Sequence, residues 1–339
     1  MKRIYSNIIS ILSLSVLFVG CEKASDVVSP EVEIEVPTEG YIHFNTQVGT
    51  RGALITDMKR DFAVTAFNYD VDWNTAVATA QPGVLYNQQI KWDDPIHTYD
   101  IDNETTGNQL KTWEDGKKYT FFAHYPTNNN NLTLSSRTTY GTPYITYSLP
   151  TDVASMVDIM TASVFDTDNS LSNTVGFTFK HRLTALGVQI RNLNSDASIE
   201  LDKLNITFTG NTLKYNQATI SLDESIAMTR TGSSVSQGPY SIIPSGSVTI
   251  PAMETVSLEN ALIFIPQEGT GTSDYLQGNI TYSYSSSNSD EDPKAFNVGR
   301  DMKAGRKYYL QMTFSAGAIT IAIIESGEWT DKDVDIEFE

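Results

Sequence analysis

Histidine, cysteine and acidic side chains are the groups that would carry chemistry in this chain; the first two are few, and the 41 acids are scattered. The four histidines are His43, His97, His124 and His181. No two of them stand at HxxH or HExxH spacing, so no helix-borne zinc site is encoded. His97 lies between Asp93-Asp94 and Asp100-Ile101-Asp102, where an imidazole flanked by carboxylates could serve as a general base. No serine or cysteine nucleophile accompanies it, and a solvated polar loop is the simpler reading. Asp100, Asp102 and Glu104 alternate as calcium ligands can, but the glycine and distal glutamate of an EF-hand loop are missing. His181 follows a strand end and reads as a partly buried strand-edge residue. With no GxSxG elbow and no phosphate-binding loop, the chain reads as a non-enzyme with no cofactor and no metal.

The single cysteine has another meaning. Met1-Lys2-Arg3 gives a positive end, Ile8 to Phe18 an apolar run broken only by serines, and Leu17-Phe18-Val19-Gly20-Cys21 closes it. The run is too short for a bilayer and fits a signal peptide. The last five residues resemble a bacterial lipobox, with Phe18 where leucine is usual. Residues 1–20 are therefore expected to be removed and Cys21 to be lipidated, each buried acyl methylene contributing about 0.8 kcal/mol to membrane attachment. The rival is an ordinary signal peptide with a chance cysteine. Residues 21–40 read as a tether, punctuated by Ser29-Pro30 and Val36-Pro37 and solvated by Glu31, Glu33 and Glu35.

What remains must be built from strands. The chain has 339 residues, 40% hydrophobic and 10% aromatic, enough to bury sizeable cores. Its formal charge of -18 leaves no positive surplus to displace counterions from nucleic acid. Period-2 patterns recur at Tyr144 to Leu149, at Val175, Phe177 and Phe179, at Leu186, Val188 and Ile190, and at Leu204, Ile206 and Phe208. Lys118 to Tyr125 is the strongest strand of the first half, and Ala261 to Ile265 is apolar throughout, as in a strand buried on both faces. One short helical turn is expected over Asp152 to Ile159. Many short strands with turns between them imply an all-β protein of two tandem antiparallel β-sandwich domains. The polar stretch Asp166 to Ser170 places the boundary, giving domains 41–168 and 169–339. Asp115-Gly116-Lys117-Lys118-Tyr119 and Ala304-Gly305-Arg306-Lys307-Tyr308 form a weak repeat, each a glycine turn leading into a basic, aromatic strand.

Several segments resemble the fimbrillin family of pilus subunits from Gram-negative anaerobes. Trp113, Gly116, Tyr119, Phe121, Ala123, Tyr125 and Pro126 are similar to the family's W-x-x-G-x-x-Y-x-F-x-A-x-Y-P segment. Asp158 to Ala162, then Phe179, His181, Leu183, Ala185, Leu186 and Val188, follow its later motifs, and Ala304 to Tyr309 with Trp329 its closing strands. The resemblance implies two transthyretin-like sandwiches and a cell-surface pilus subunit. It further implies export as an outer-membrane lipoprotein, then cleavage by an Arg-specific protease after the first strand and strand exchange with other pilus subunits. The matching position here is Arg51 followed by Gly52, after the strand from Tyr41 to Val48. Arg60 is a poorer candidate because it adjoins the next strand. Val334, Ile336 and Phe338, alternating with acids, offer a donor strand, or else form the domain's own last strand. A host protein or glycan could be bound at a pilus tip. The alternative is a monomeric, surface-anchored glycan-binding lipoprotein.

Overall fold

The computed structural model describes residues 40–50, 53–56, 58–93, 98–101, 111–170, 172–210, 212–232, 238–243, 245–258, 260–267, 275–286, 290–316 and 318–328. The expected signal peptide and all of the expected tether but Gly40 lie outside the described residues. In chain order the first ten strands are β1 (His43–Thr50), β2 (Ala53–Thr56), β3 (Phe62–Tyr69), β4 (Leu85–Asp93), β5 (Thr98–Ile101), β6 (Lys118–Tyr125), β7 (Leu132–Leu134), β8 (Tyr144–Ser148), β9 (Met160–Thr167) and β10 (Thr174–His181). There follow β11 (Thr184–Asn192), β12 (Ile199–Phe208), β13 (Gln217–Ser221), β14 (Thr229–Thr231), β15 (Tyr240–Ser241), β16 (Val248–Ile250), β17 (Thr255–Ser257) and β18 (Leu262–Phe264). The last four are β19 (Gln277–Tyr284), β20 (Lys294–Asn297), β21 (Arg306–Ser315) and β22 (Ala318–Glu328). Helix among the described residues is confined to one turn at Trp73–Ala76 and a 3-10 turn at Val153–Ser155, inside the span where a helical turn is expected. The all-β fold class is as expected.

Side-chain alternation explains the surface strands. In β8 and β10 every second residue is buried, as the period-2 patterns require. β6 is different, because both of its faces are covered. Tyr119, Phe121 and Ala123 enter one core cluster, while Phe122 enters the other. That double burial is why its sequence is nearly continuously apolar.

The first sheet bends round on itself. Its strands run β10-β9-β6-β3-β4-β5-β1, and β1 pairs with β10 to close the ring, with β2 added on β1. Inside the ring lies an aromatic core built on Phe44, Phe62, Phe121, Phe177 and Phe179. The remaining strands form three sheets: β17-β11-β21-β22 with β18 on β11, β15-β12-β19-β20 with β16 on β12, and β14-β13-β8-β7. Their shared core is largely aliphatic, drawn from Leu186, Val188, Ile190, Leu204, Ile206 and Leu310 among others.

The expected boundary at 168/169 falls in the connection between β9 and β10, which pair with each other at Met160↔His181 and Thr161↔Lys180. β10 thus stands in the sheet of the strands before it, while β7 and β8 of the first half pair with β13. A polar loop looks the same in sequence whether it joins two domains or two strands of a hairpin. The glycine-turn repeat is real but local. Gly116 and Gly305 both adopt positive φ, 75° and 66°. Tyr119 Oη accepts from the Glu114 N–H at 2.8 Å and Tyr308 Oη accepts from the Lys303 N–H at 3.3 Å, the same five-residue reach. The strands they begin differ in their neighbours: β6 is antiparallel to β3 and β9, whereas β21 is parallel to β11.

Candidate functional site: the first strand and its seat

β1 is the element to which the sequence attaches function. It runs parallel to β10 over six register positions, from His43↔Thr174 to Val48↔Phe179. On its other side it meets β5 at a single position, Phe44↔Tyr99, and β2 at four, from Gln47↔Thr56 to Thr50↔Ala53. Ile42, Phe44 and Thr46 are buried, whereas Asn45 is exposed. The Phe44 ring stacks on Phe177 at 5.9 Å and meets Phe62 and Phe121 edge-on at 6.4 and 6.2 Å. Thr46 Oγ1 accepts from the Met58 N–H at 3.1 Å, which ties β1 to the chain entering β3.

The start of the strand is held by backbone. Ile42 N–H donates to the Lys111 carbonyl at 2.8 Å, His43 N–H to Asn173 at 2.9 Å, and Trp113 N–H to Gly40 at 3.0 Å. Trp113 in turn packs against Tyr119 and Phe121, at 4.8 and 5.7 Å. Residues 111–113 therefore clasp the segment before β1 while their tryptophan rests on β6. Gly176 on β10 leaves room for Asn45: a Cβ there would come within 2.7 Å of the Asn45 Oδ1.

β10 ends in a buried polar junction. His181 Nδ1 lies 2.7 Å from Asp158 Oδ2, and the imidazole is buried rather than at the partly exposed strand edge that the sequence implies. Next to it, the buried Arg182 donates through Nη1 to Thr161 Oγ1 at 2.9 Å and the Ser221 carbonyl at 3.2 Å, and through Nη2 to the Ile226 carbonyl at 2.9 Å. Desolvation lowers the Arg182 pKa, with Glu224 and Asp223 opposing it electrostatically. These contacts fix the end of β10 to β9 and to the loop after β13. They form no hydrolytic constellation, and no group of three or more His, Cys, Asp or Glu that could hold a metal exists among the described residues.

The site residues expected from sequence all lie outside the described residues: Cys21, Arg51, Gly52, Val334, Ile336 and Phe338. Their flanks are described. β1 ends at Thr50 and β2 begins at Ala53, paired with each other, so Arg51 and Gly52 are the two residues joining them. β22, the strand nearest the tail, pairs with β21 alone among the described residues. Sequence reasoning missed Lys111, Asn173 and Met58 as supports of β1. Only the strand itself, Tyr41 to Val48, is legible without the structure.

Comparison with known proteins places the chain. A family model described as fimbrillin-like matches residues 75–329, and the chain belongs to that family. Among solved structures, a fimbrial protein from Bacteroides vulgatus has 20% identity and a TM-score of 0.63, covering 85% of this chain and 99% of its own. A candidate cell adhesion protein from Bacteroides ovatus has 16% identity and a TM-score of 0.54, over 86% and 97%. Another from Bacteroides uniformis has 15% identity and a TM-score of 0.53, over 87% and 100%. These likenesses show the fold, with multiple sheets in keeping with a β-sandwich fimbrial architecture. No curated protein matches the chain. The family is one of structural fimbrial and adhesion proteins of the cell surface. Among the described residues no helix is long and apolar enough to cross a membrane.

Proposed function

We propose that this chain is a pilus subunit, exported as a lipoprotein through Cys21, cut between Arg51 and Gly52, and joined to other subunits by strand exchange. The observation that carries the reading is the position of β1. It is the strand that closes the ring, and it is followed by a two-residue connection containing an arginine. Losing it would uncover the β10 edge and the aromatic pocket that Phe44 fills. Ile42 and Phe44 each contribute about 1.5–3 kcal/mol on burial, and each ladder hydrogen bond about 0.5–1.5 kcal/mol. A strand from another subunit with alternating apolar residues would recover both terms, and Val334, Ile336 and Phe338 have that pattern. Head-to-tail addition without a closing rotation yields a filament.

Treating purified precursor with an Arg-specific protease tests this. The expected result is one cut, a new N-terminus at Gly52, and polymers. Mature protein from the cell envelope that is monomeric and still carries residues 41–50 would overturn it.

A further inference from the structure

The strand-exchange reading leaves β2 with no stated role, and the pairings supply one. Among the described residues β2 pairs with β1 and with no other strand. A cut between residues 51 and 52 removes its neighbour but not β2, which stays joined to β3. Its far end is well anchored. Met58 is buried in the aromatic core. Arg60 lies over the Tyr125 ring at 5.5 Å and donates through Nη1 to the Tyr125 hydroxyl at 3.3 Å. Thr56 is two residues from Met58, and two residues reach at most about 7 Å. The Thr56 end of β2 therefore stays near where it now pairs, while the Ala53 end, five residues from Met58, is free to swing once the cut is made.

Resting on that reading, we infer that β2 is a latch: after the cut, its freed edge pairs antiparallel with the strand of a second copy that takes the place of β1. The occupant is defined by what now sits there. β1 shows that the seat takes an extended segment parallel to β10 and antiparallel to β2, over the register Gln47↔Thr56 to Thr50↔Ala53. An incoming strand with the direction of β1 satisfies both edges; one with the opposite direction changes the hydrogen-bond pattern on each. The cut also turns β2 from the second arm of a hairpin into a chain end, which can open to admit a strand and then close. Held at Met58 and Arg60, the arm closes over the newcomer from the side opposite β10.

The experiment uses the processed protein with β1 removed and a synthetic peptide of residues 41–50 in place of the neighbour's strand. Backbone hydrogen exchange at residues 53–56 is followed by mass spectrometry. Without peptide these amides exchange freely; with peptide they slow by about tenfold or more. Leu54→Pro and Ile55→Pro are made separately, because neighbouring residues of a strand donate to opposite sides and one of the two must remove a donor to the peptide. That variant binds peptide about tenfold more weakly, the factor expected for one or two net hydrogen bonds. Bound peptide with unchanged exchange at 53–56, absence of binding, or two proline variants that bind as the parent does would each overturn the latch. Polymers whose residues 53–56 stay unprotected sink the latch and leave strand exchange standing. A peptide-closed latch in a protein that never polymerises does the reverse.

Discussion

Among the described residues there are two parallel pairings, β1 with β10 and β11 with β21, and the surroundings of β1 and β11 are opposite. β11 lies parallel to β21 over nine positions and is covered on its other side by β17 and β18. β1 lies parallel to β10 over six positions, but on its other side it has β5 at one position and the short β2. β11 is buried along most of its length, and the chain continues from it into packed strands at both ends. β1 and the residue before it carry their weight on Ile42, Phe44 and Thr46, and one cut beyond Thr50 would separate them from the body. The same ladder geometry thus serves a core strand bordered on both edges in one place and, in the proposed function, a removable closure in the other. What differs is the second edge and the covalent attachment.

The widest gap is expected on removing each strand whole. Deleting residues 41–50 costs the burial of Ile42 and Phe44, roughly 3–6 kcal/mol, and leaves a protein that still unfolds cooperatively in urea. Deleting residues 184–192 leaves no cooperative transition. Equal outcomes would break the contrast. Within β1, Phe44→Ala lowers stability by about 3–5 kcal/mol, because its ring contacts Phe62, Phe121 and Phe177. Asn45→Ala on the exposed face stays within about 0.5 kcal/mol in the same urea titration.

A third measurement uses acid. His124 on β6 is fully buried, and its Nδ1 makes no hydrogen bond. Desolvation pushes its pKa down to about 4 from 6.5. As pH falls, the unfolded chain takes up this proton before the folded one does. The stability due to the neutral ring is full above pH 6.5 and is lost on acidification toward about 4, at up to about 1.4 kcal/mol per pH unit. His124→Leu flattens that part of the stability curve. If the ring is the weaker half, the acid loss appears first as faster exchange of β1 amides, not of β11 amides. A finer comparison comes from two glycines that face parallel partners. A Cβ at Gly187 on β11 would lie 2.7 Å from the Tyr309 ring, whereas at Gly176 on β10 it meets the tip of Asn45 at the same distance. Gly187→Ala therefore costs about 1–3 kcal/mol. Gly176→Ala costs less than about 1 kcal/mol, since an exposed amide can swing away, and thermal unfolding resolves the two.

The individual strands were legible because burial writes itself into alternation. β8 and β10 show it on one face, and β6 shows continuous apolarity because it has a core on each side. The glycine turn before β6 and β21 and the tyrosine near the start of each strand were legible because turn chemistry is local. Which strands meet was not. The pairing of β1 with β10 joins residues as far apart in the chain as His43 and Thr174, and no periodicity carries that information. Composition likewise could not tell the β9–β10 hairpin from an interdomain linker. The supports of the candidate site, the Lys111 and Asn173 carbonyls and the Met58 N–H, are backbone groups, which every residue type possesses and no sequence motif can mark.

The closed ring also bears on how the chain survives before it is needed. While its own N-terminal segment fills the gap beside β10, the row of backbone groups through which two copies would zip together is occupied. Under the proposed strand exchange, a molecule carrying its own stopper crosses a crowded envelope at high concentration without clumping, and the timing of association passes from concentration to a single peptide-bond scission.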